Sequence, residues 1–217
     1  KEYPAIEIEL ADGKKLSLTG KVDRVDIAET EEGKYIRIID YKSSNKKIKL
    51  SDVYYGVQLQ LLTYIDALSG DEFIPGGVLY LKLDDPILKT DKNISKEDVE
   101  DMIVKSLRMN GLVLSNARLI EAMDKDMGTE SNIINLKMKK DGSYSNMPTV
   151  TGEEFEKLRG HIRKTLADIG NEIMSGNIKN EPLKRKGATT ACEYCEYKLI
   201  CQFDKDLGNK FRYINEN

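Results

Sequence analysis

The chain opens on alternation. In "AIEIEL" apolar and acidic residues take turns, and after the turn "ADGKK" the segment "LSLTGKVDRVDIAE" keeps the period of two. Successive side chains of a strand point to opposite faces, so the pattern predicts half-buried strands. A second turn, "TEEGK", leads into "YIRIIDYKSS", and the first third reads as an antiparallel meander. The period then changes. In "LSDVYYGVQLQLLTYIDALSG", Val53, Val57, Leu61, Tyr64, Ile65 and Leu68 fall on one helical face, with Ser51 or Asp52 as N-cap and Gly70 as the stop. "PGGVLYLKLDD" is nearly continuous in apolar residues, as suits a strand covered on both faces. Strand, helix and strand together predict a crossover that returns 77–83 to the same sheet.

Farther along, "SKEDVEDMIVKSLRMNG" is amphipathic and opens on the capping pattern Ser95-x-x-Asp98. Residues 112–133 read as a short helix and a polar loop, and "NIINLKMKKDGSYS" as a hairpin arm. "TGEEFEKLRGHIRKTLADIGNEIMSGN" predicts a long helix capped at Thr151 and stopped near Gly176. There is no internal repeat. The order of elements predicts an α/β fold, a mixed sheet flanked by helices.

The composition excludes some classes. With 217 residues, 40% hydrophobic and 33% charged, the chain is globular in character and long enough for one large domain or a domain with an appendage. No apolar run approaches the ~20 residues that span a bilayer. The chain begins at Lys1 without a signal-peptide pattern and is read as a piece of something longer. A net charge of −3 makes no global case for nucleic-acid binding. Two local cationic clusters, Lys42, Lys46, Lys47 and Lys49, then Lys184, Arg185 and Lys186, read individually as solvated surface. Three cysteines within ten residues, Cys192, Cys195 and Cys201, point to a reducing compartment and to metal chemistry rather than disulfides.

The candidate chemistry begins at Asp40 and Lys42. Two charges share one face of a strand rich in isoleucine, although burying an ion costs several kcal/mol unless it is paired or bound. Asp23 and Asp26 stand on the preceding strand, and alternation lets only one of them, Asp23, join Asp40. Two carboxylates brought together repel unless a proton or cation lies between them, and oxygen-only ligation suits Mg²⁺. Taken alone, D-x-K is usually an ordinary ion pair. The next helix adds Gln60 and Tyr64, four apart and so one above the other, an amide and a hydroxyl on an otherwise apolar face.

G-x-V-D-R-x-D, an apolar strand ending in I-D-Y-K-S, then Q-x-x-x-Y on a helix resembles the RecB-type branch of the PD-(D/E)xK nucleases. The tail, Cys192-x-x-Cys195, Cys201 and then Gln-Phe-Asp, is similar to the cysteine cluster that ends the nuclease domains of AddAB (RexAB) B subunits. The resemblance covers about Gly20 to Asp204 and implies a restriction-endonuclease-like nuclease domain over 1–180 with a cysteine-bearing tail over 181–217. It implies a metal-dependent DNA exonuclease within a cytoplasmic helicase–nuclease that processes double-strand breaks, partnered by DNA and an A subunit. Asp23, Asp40 and the Tyr41 carbonyl would hold Mg²⁺ or Mn²⁺. Lys42, Gln60 and Tyr64 would complete the catalytic set, with Asp26 in support. Cys192, Cys195 and Cys201 would supply three of the four ligands of a [4Fe–4S] cluster. From the residues alone, His161 could instead complete a Cys3His zinc site, although its place within a helix reads more simply as packing or surface. Two alternatives are a nuclease-fold domain that guides DNA without cutting it and a free-standing Cas4-like nuclease.

Overall fold

The computed structural model describes residues 5–89, 93–185, 187 and 190–214. Lys186 of the second cationic cluster lies outside the described residues. The alternating start forms β1 (Ile6–Glu9) and β2 (Lys15–Leu18), which pair antiparallel as a separate hairpin. The expected single meander is therefore divided. The chain leaves strand geometry between Leu18 and Arg24, where a Cβ on Gly20 would lie 2.8 Å from the Tyr64 hydroxyl. The backbone there yields room to a tyrosine ring instead of pairing.

β3 (Arg24–Thr30) and β4 (Gly33–Lys42) pair antiparallel and begin the main sheet. Tyr35, Ile36, Ile38 and Ile39 are all buried, so β4 is covered on both faces. The predicted single helix after β4 is instead two, α1 (Leu50–Tyr54) and α2 (Gln60–Ser69). Gly56, at φ +77°, takes the left-handed conformation that ends α1. The Gln58 side chain then accepts from the Lys49 N–H (2.9 Å) and donates to the Lys47 carbonyl (3.1 Å). These bonds hold the turn, and Val57, expected on the buried face, is 56% exposed. Neither Ser51 nor Asp52 caps the helix, because α1 starts at Leu50 with Lys49 as N-cap; Gly70 does end α2.

β5 (Phe73–Lys82) returns parallel to β4, completing the predicted crossover. α3 (Lys96–Ser106) is capped by Ser95, whose hydroxyl accepts from the Asp98 N–H at 3.1 Å. β6 (Asn110–Leu114), a strand where a helix and loop were expected, pairs antiparallel with β5. Its Gly111 is obligatory, since a Cβ there would lie 2.0 Å from the Val78 carbonyl. α4 (Ala117–Met123) follows, then the short hairpin of β7 (Lys137–Met138) and β8 (Tyr144–Ser145). β9 (Thr149–Val150) closes the sheet in the order β3-β4-β5-β6-β9, mixed parallel and antiparallel. α5 (Gly152–Met174) is capped at Thr151 as predicted, and Glu154 completes a capping box with it. In the tail, β10 (Leu183–Arg185) pairs parallel with β11 (Arg212–Ile214), and α6 (Lys198–Cys201) lies between them. No described helix is long and apolar enough to cross a membrane.

α5 is fastened to α2 through a buried carboxylate. Asp66 accepts from Arg159 and Arg163, each at 2.7 Å. Arg159 is largely buried and Arg163 largely exposed. Asp66→Ala removes the buried partner of Arg159, which keeps Glu156 at 2.7 Å, and is expected to cost about 2 kcal/mol, whereas Arg163→Ala costs under about 1 kcal/mol; urea denaturation measures both. Asp124 offers a pH test. Burial raises its carboxyl, but bonds from the Ser131 hydroxyl (2.6 Å) and the Asn132 N–H (3.0 Å) outweigh this and hold it below its ordinary value. A carboxyl lowered by folding stabilises above its unfolded value and loses that contribution as pH falls through the folded one. The destabilisation caused by Asp124→Asn is therefore expected at pH 7 and should shrink as pH drops below about 4.

Candidate active site

The site is built where β3 begins and β4 ends. β4 carries Asp40 and Lys42 on one face, one turn of the pleat apart. Asp40 is 5% exposed, and the Lys42 ammonium approaches its Oδ2 to 2.5 Å. That oxygen is buried and, despite the close ammonium, accepts no hydrogen bond of good geometry. Such an oxygen is a ready ligand for a cation.

Asp23 precedes β3 and does not belong to it. Its carboxylate accepts from the Tyr41 N–H at 3.0 Å, which carries it across to the residue beside Asp40. Asp23 is an exposed residue. Asp26 pairs in register with Arg37 on the opposite face. It accepts from Arg24 (2.8 Å) and Arg37 (2.8 Å). Burial raises the Asp26 carboxyl, and the two guanidinium groups more than compensate and hold it below its ordinary value. Asp26 is thus a satisfied ion-pair centre behind the site and has no free oxygen to offer.

Gln60 and Tyr64 lie on α2, and the Gln60 amide donates to the Tyr64 hydroxyl at 3.3 Å. Together with Gly20 and Val22 they line a cavity of about 260 Å³ beneath the segment that leads to Asp23. The glycine leaves space for the Tyr64 ring. A residue the sequence pattern did not single out is Tyr80. β5 runs parallel to β4 and places Tyr80 beside Asp40 and Lys82 beside Lys42. The Lys42 ammonium lies 6.0 Å from the Tyr80 ring centre. Burial and the Asp40 charge push the Tyr80 hydroxyl up, so it stays a neutral donor at neutral pH. Lys82 is paired with Asp84 at 2.8 Å. The signal for Tyr80 was available only through the parallel register, which local sequence does not state.

The exposed Asp23 and the buried Asp40, whose Oδ2 accepts no hydrogen bond of good geometry, fit a hard divalent cation held by one or two carboxylates and otherwise by water. Cys195 and Cys201 are exposed, Cys192 is partly so, and none forms a disulfide. Among the described residues, no three His, Cys, Asp or Glu side chains converge as metal ligands, so these thiols do not form a cluster cradle here. His161 is engaged elsewhere, with its Nε2 3.1 Å from the Tyr54 carbonyl.

Comparison with known proteins agrees with this geometry. A profile described as the PD-(D/E)XK nuclease superfamily matches residues 2–202. The ATP-dependent helicase/deoxyribonuclease B subunit of Clostridium kluyveri (strain NBRC 12016) is 48% identical over 225 residues, covering 99% of this chain and 20% of the relative. The protein of that name from Acetivibrio thermocellus is 49% identical over 222 residues, 98% of this chain and 19% of its own. The one from Clostridium novyi (strain NT) is 46% identical over 223 residues, 99% and 20% respectively. This chain spans about a fifth of the length of these curated relatives. A mixed sheet with two carboxylates and a lysine at the end of its β4 strand, matched over nearly every residue, places the chain in the PD-(D/E)XK nuclease superfamily.

Proposed function

We propose that the chain is the nuclease part of a longer helicase–nuclease subunit and hydrolyses DNA phosphodiester bonds as an exonuclease during double-strand-break repair. The observation that carries this reading is the buried, unbonded Oδ2 of Asp40 beside Asp23 and Lys42. Asp40, Asp23 and the Tyr41 carbonyl would hold Mg²⁺ or Mn²⁺. When bound there, the cation supplies Lewis-acid polarisation of the phosphate and acidifies a water. Lys42, beside Asp40, would offset charge developing on the phosphate. Tyr64, fixed by Gln60 and by the space at Gly20, positions the backbone that carries Asp23. Asp26 holds Arg24 and Arg37 and so stiffens β3 against β4.

The partners in this reading are DNA and an A-type subunit, and the location is the cytoplasm. Supporting it are the relatives, each named as the B subunit of a helicase/deoxyribonuclease. A [4Fe–4S] cluster on Cys192, Cys195 and Cys201 is proposed for the longer protein only, since a cubane takes four thiolates. No step of the chemistry is assigned to it.

Asp40→Asn in the full-length subunit should reduce cleavage by well over the roughly hundredfold lost with an outer ligand, while unwinding persists. Nuclease assays on labelled DNA with and without EDTA measure this, and Mg²⁺ should restore the parent but not the variant. Cleavage retained by Asp40→Asn would instead identify a nuclease-fold domain that guides DNA without cutting. Gly20→Ala drives a methyl into Tyr64 and is expected to lower the rate by up to about a hundredfold. Gly160→Ala, in open space on α5, should leave the rate unchanged.

A further inference from the structure

α1 and the loop before it present a surface that the cleavage chemistry does not use. Tyr54, at the end of α1, is 66% exposed yet held firmly. Its ring is stacked on His161 of α5, with centroids 5.2 Å apart and planes inclined by 3°. The Tyr55 ring meets it edge-on at 5.2 Å. A carbonyl can only accept, so the 3.1 Å contact between the Tyr54 carbonyl and His161 Nε2 makes that nitrogen the protonated one. One bond and one stack thus fix both the backbone and the ring of an aromatic residue that faces solvent.

The loop joining this platform to Lys42 is "SSNKKIK", residues 43–49. Ile48 is buried as an anchor, while Lys46, Lys47 and Lys49 are exposed. Among the described residues none of these three ammonium groups has a carboxylate within 4 Å, although many lysines elsewhere on the surface do. Asp52, the acidic residue of α1, is buried and neutralised by Arg185. The Gln58 amide clamps the loop at Lys47 and Lys49, so the cations are presented by a fixed backbone. Unpaired cations on the loop that precedes a rigid aromatic face match a polyanion with flat bases, and only a strand whose bases are unpaired can offer a base to stack.

We propose that Tyr54, backed by His161, is a stacking step for a base of single-stranded DNA, and that Lys46, Lys47 and Lys49 bind the phosphates between that base and the Lys42 end of β4. The inference rests on the nuclease reading and gives it a substrate form. It places the recognition of unpaired DNA on α1, outside the metal site.

The test is fluorescence anisotropy of the 217-residue chain with a labelled oligothymidylate and with a duplex of the same length, in EDTA so that nothing is cut. Tyr54→Ala should weaken binding to the single strand about tenfold and binding to the duplex hardly at all, and Tyr54→Phe should bind like the parent. The salt dependence separates stacking from charge. Tyr54→Ala should keep the parent's slope, whereas Lys46→Gln with Lys47→Gln should flatten it by about 0.7 per lysine. Irradiation of a 5-iododeoxyuridine oligonucleotide should place the protein adduct at Tyr54 or His161. Unchanged affinity in Tyr54→Ala, equal loss on duplex, or a Phe variant no better than Ala would overturn the proposal, as would a parent chain that does not bind the single strand. Cleavage by the Asp40→Asn subunit is scored separately, so loss of the nuclease reading and loss of the stacking step give different results.

Discussion

The structure depends on how one carboxylate is tolerated inside an isoleucine strand. Asp40 follows Ile38 and Ile39, which are fully buried, and is itself almost inaccessible. Removing an ion from water costs several kcal/mol, so the strand is stable only because Lys42 is carried two residues along on the same face. The ammonium compensates the charge without fully bonding the oxygen that faces it. That partial compensation requires covering strands on either side, with β3 bringing Asp23 and β5 bringing Tyr80, and so it fixes which strands neighbour β4.

The aspartates differ in how fully they are occupied. Asp26 and Asp66 each sit between two arginines and are fully occupied. Asp124 is held by a hydroxyl and a backbone N–H. All three are finished as structural elements. Asp40 differs from these three: its Oδ2 faces one ammonium and accepts no hydrogen bond of good geometry. In the terms of consistency across levels, the broken local rule at Asp40 is what supports the role proposed for it.

Long-period features were legible in the sequence. α5 announces itself by a capping box and a sustained helical stripe, and the β4–α2–β5 crossover by its change of period. Strand parity was enough to turn Asp26 away from Asp40, whereas Asp23, just outside β3, is held near it by its bond to the Tyr41 N–H. What failed was decided by distant contacts. β6 is five residues of "NGLVL", too short for periodicity to distinguish, and its Gly111 is explained only by the Val78 carbonyl across the sheet. The break at Gly56 was hidden because Val57 fits the helical stripe on paper, while the Gln58 side chain prefers the backbone at Lys47 and Lys49. Tyr80 beside Asp40 and His161 under Tyr54 come from register and helix packing, which no local window contains.

The order of strands in the sheet has a kinetic meaning. From β3 through β9 each new strand of this sheet is laid against the previous one, so the sheet grows in the order in which the chain leaves the ribosome. The Asp23–Tyr41 bond closes a loop of 18 residues and belongs to the earliest part of that growth. The pairing of Arg185 with Asp52 closes one of 133, and loop-closure entropy makes it a late event. The Asp23–Tyr41 contact is thus local enough to form early, whereas fastening β10 to α1 depends on a contact much longer in sequence.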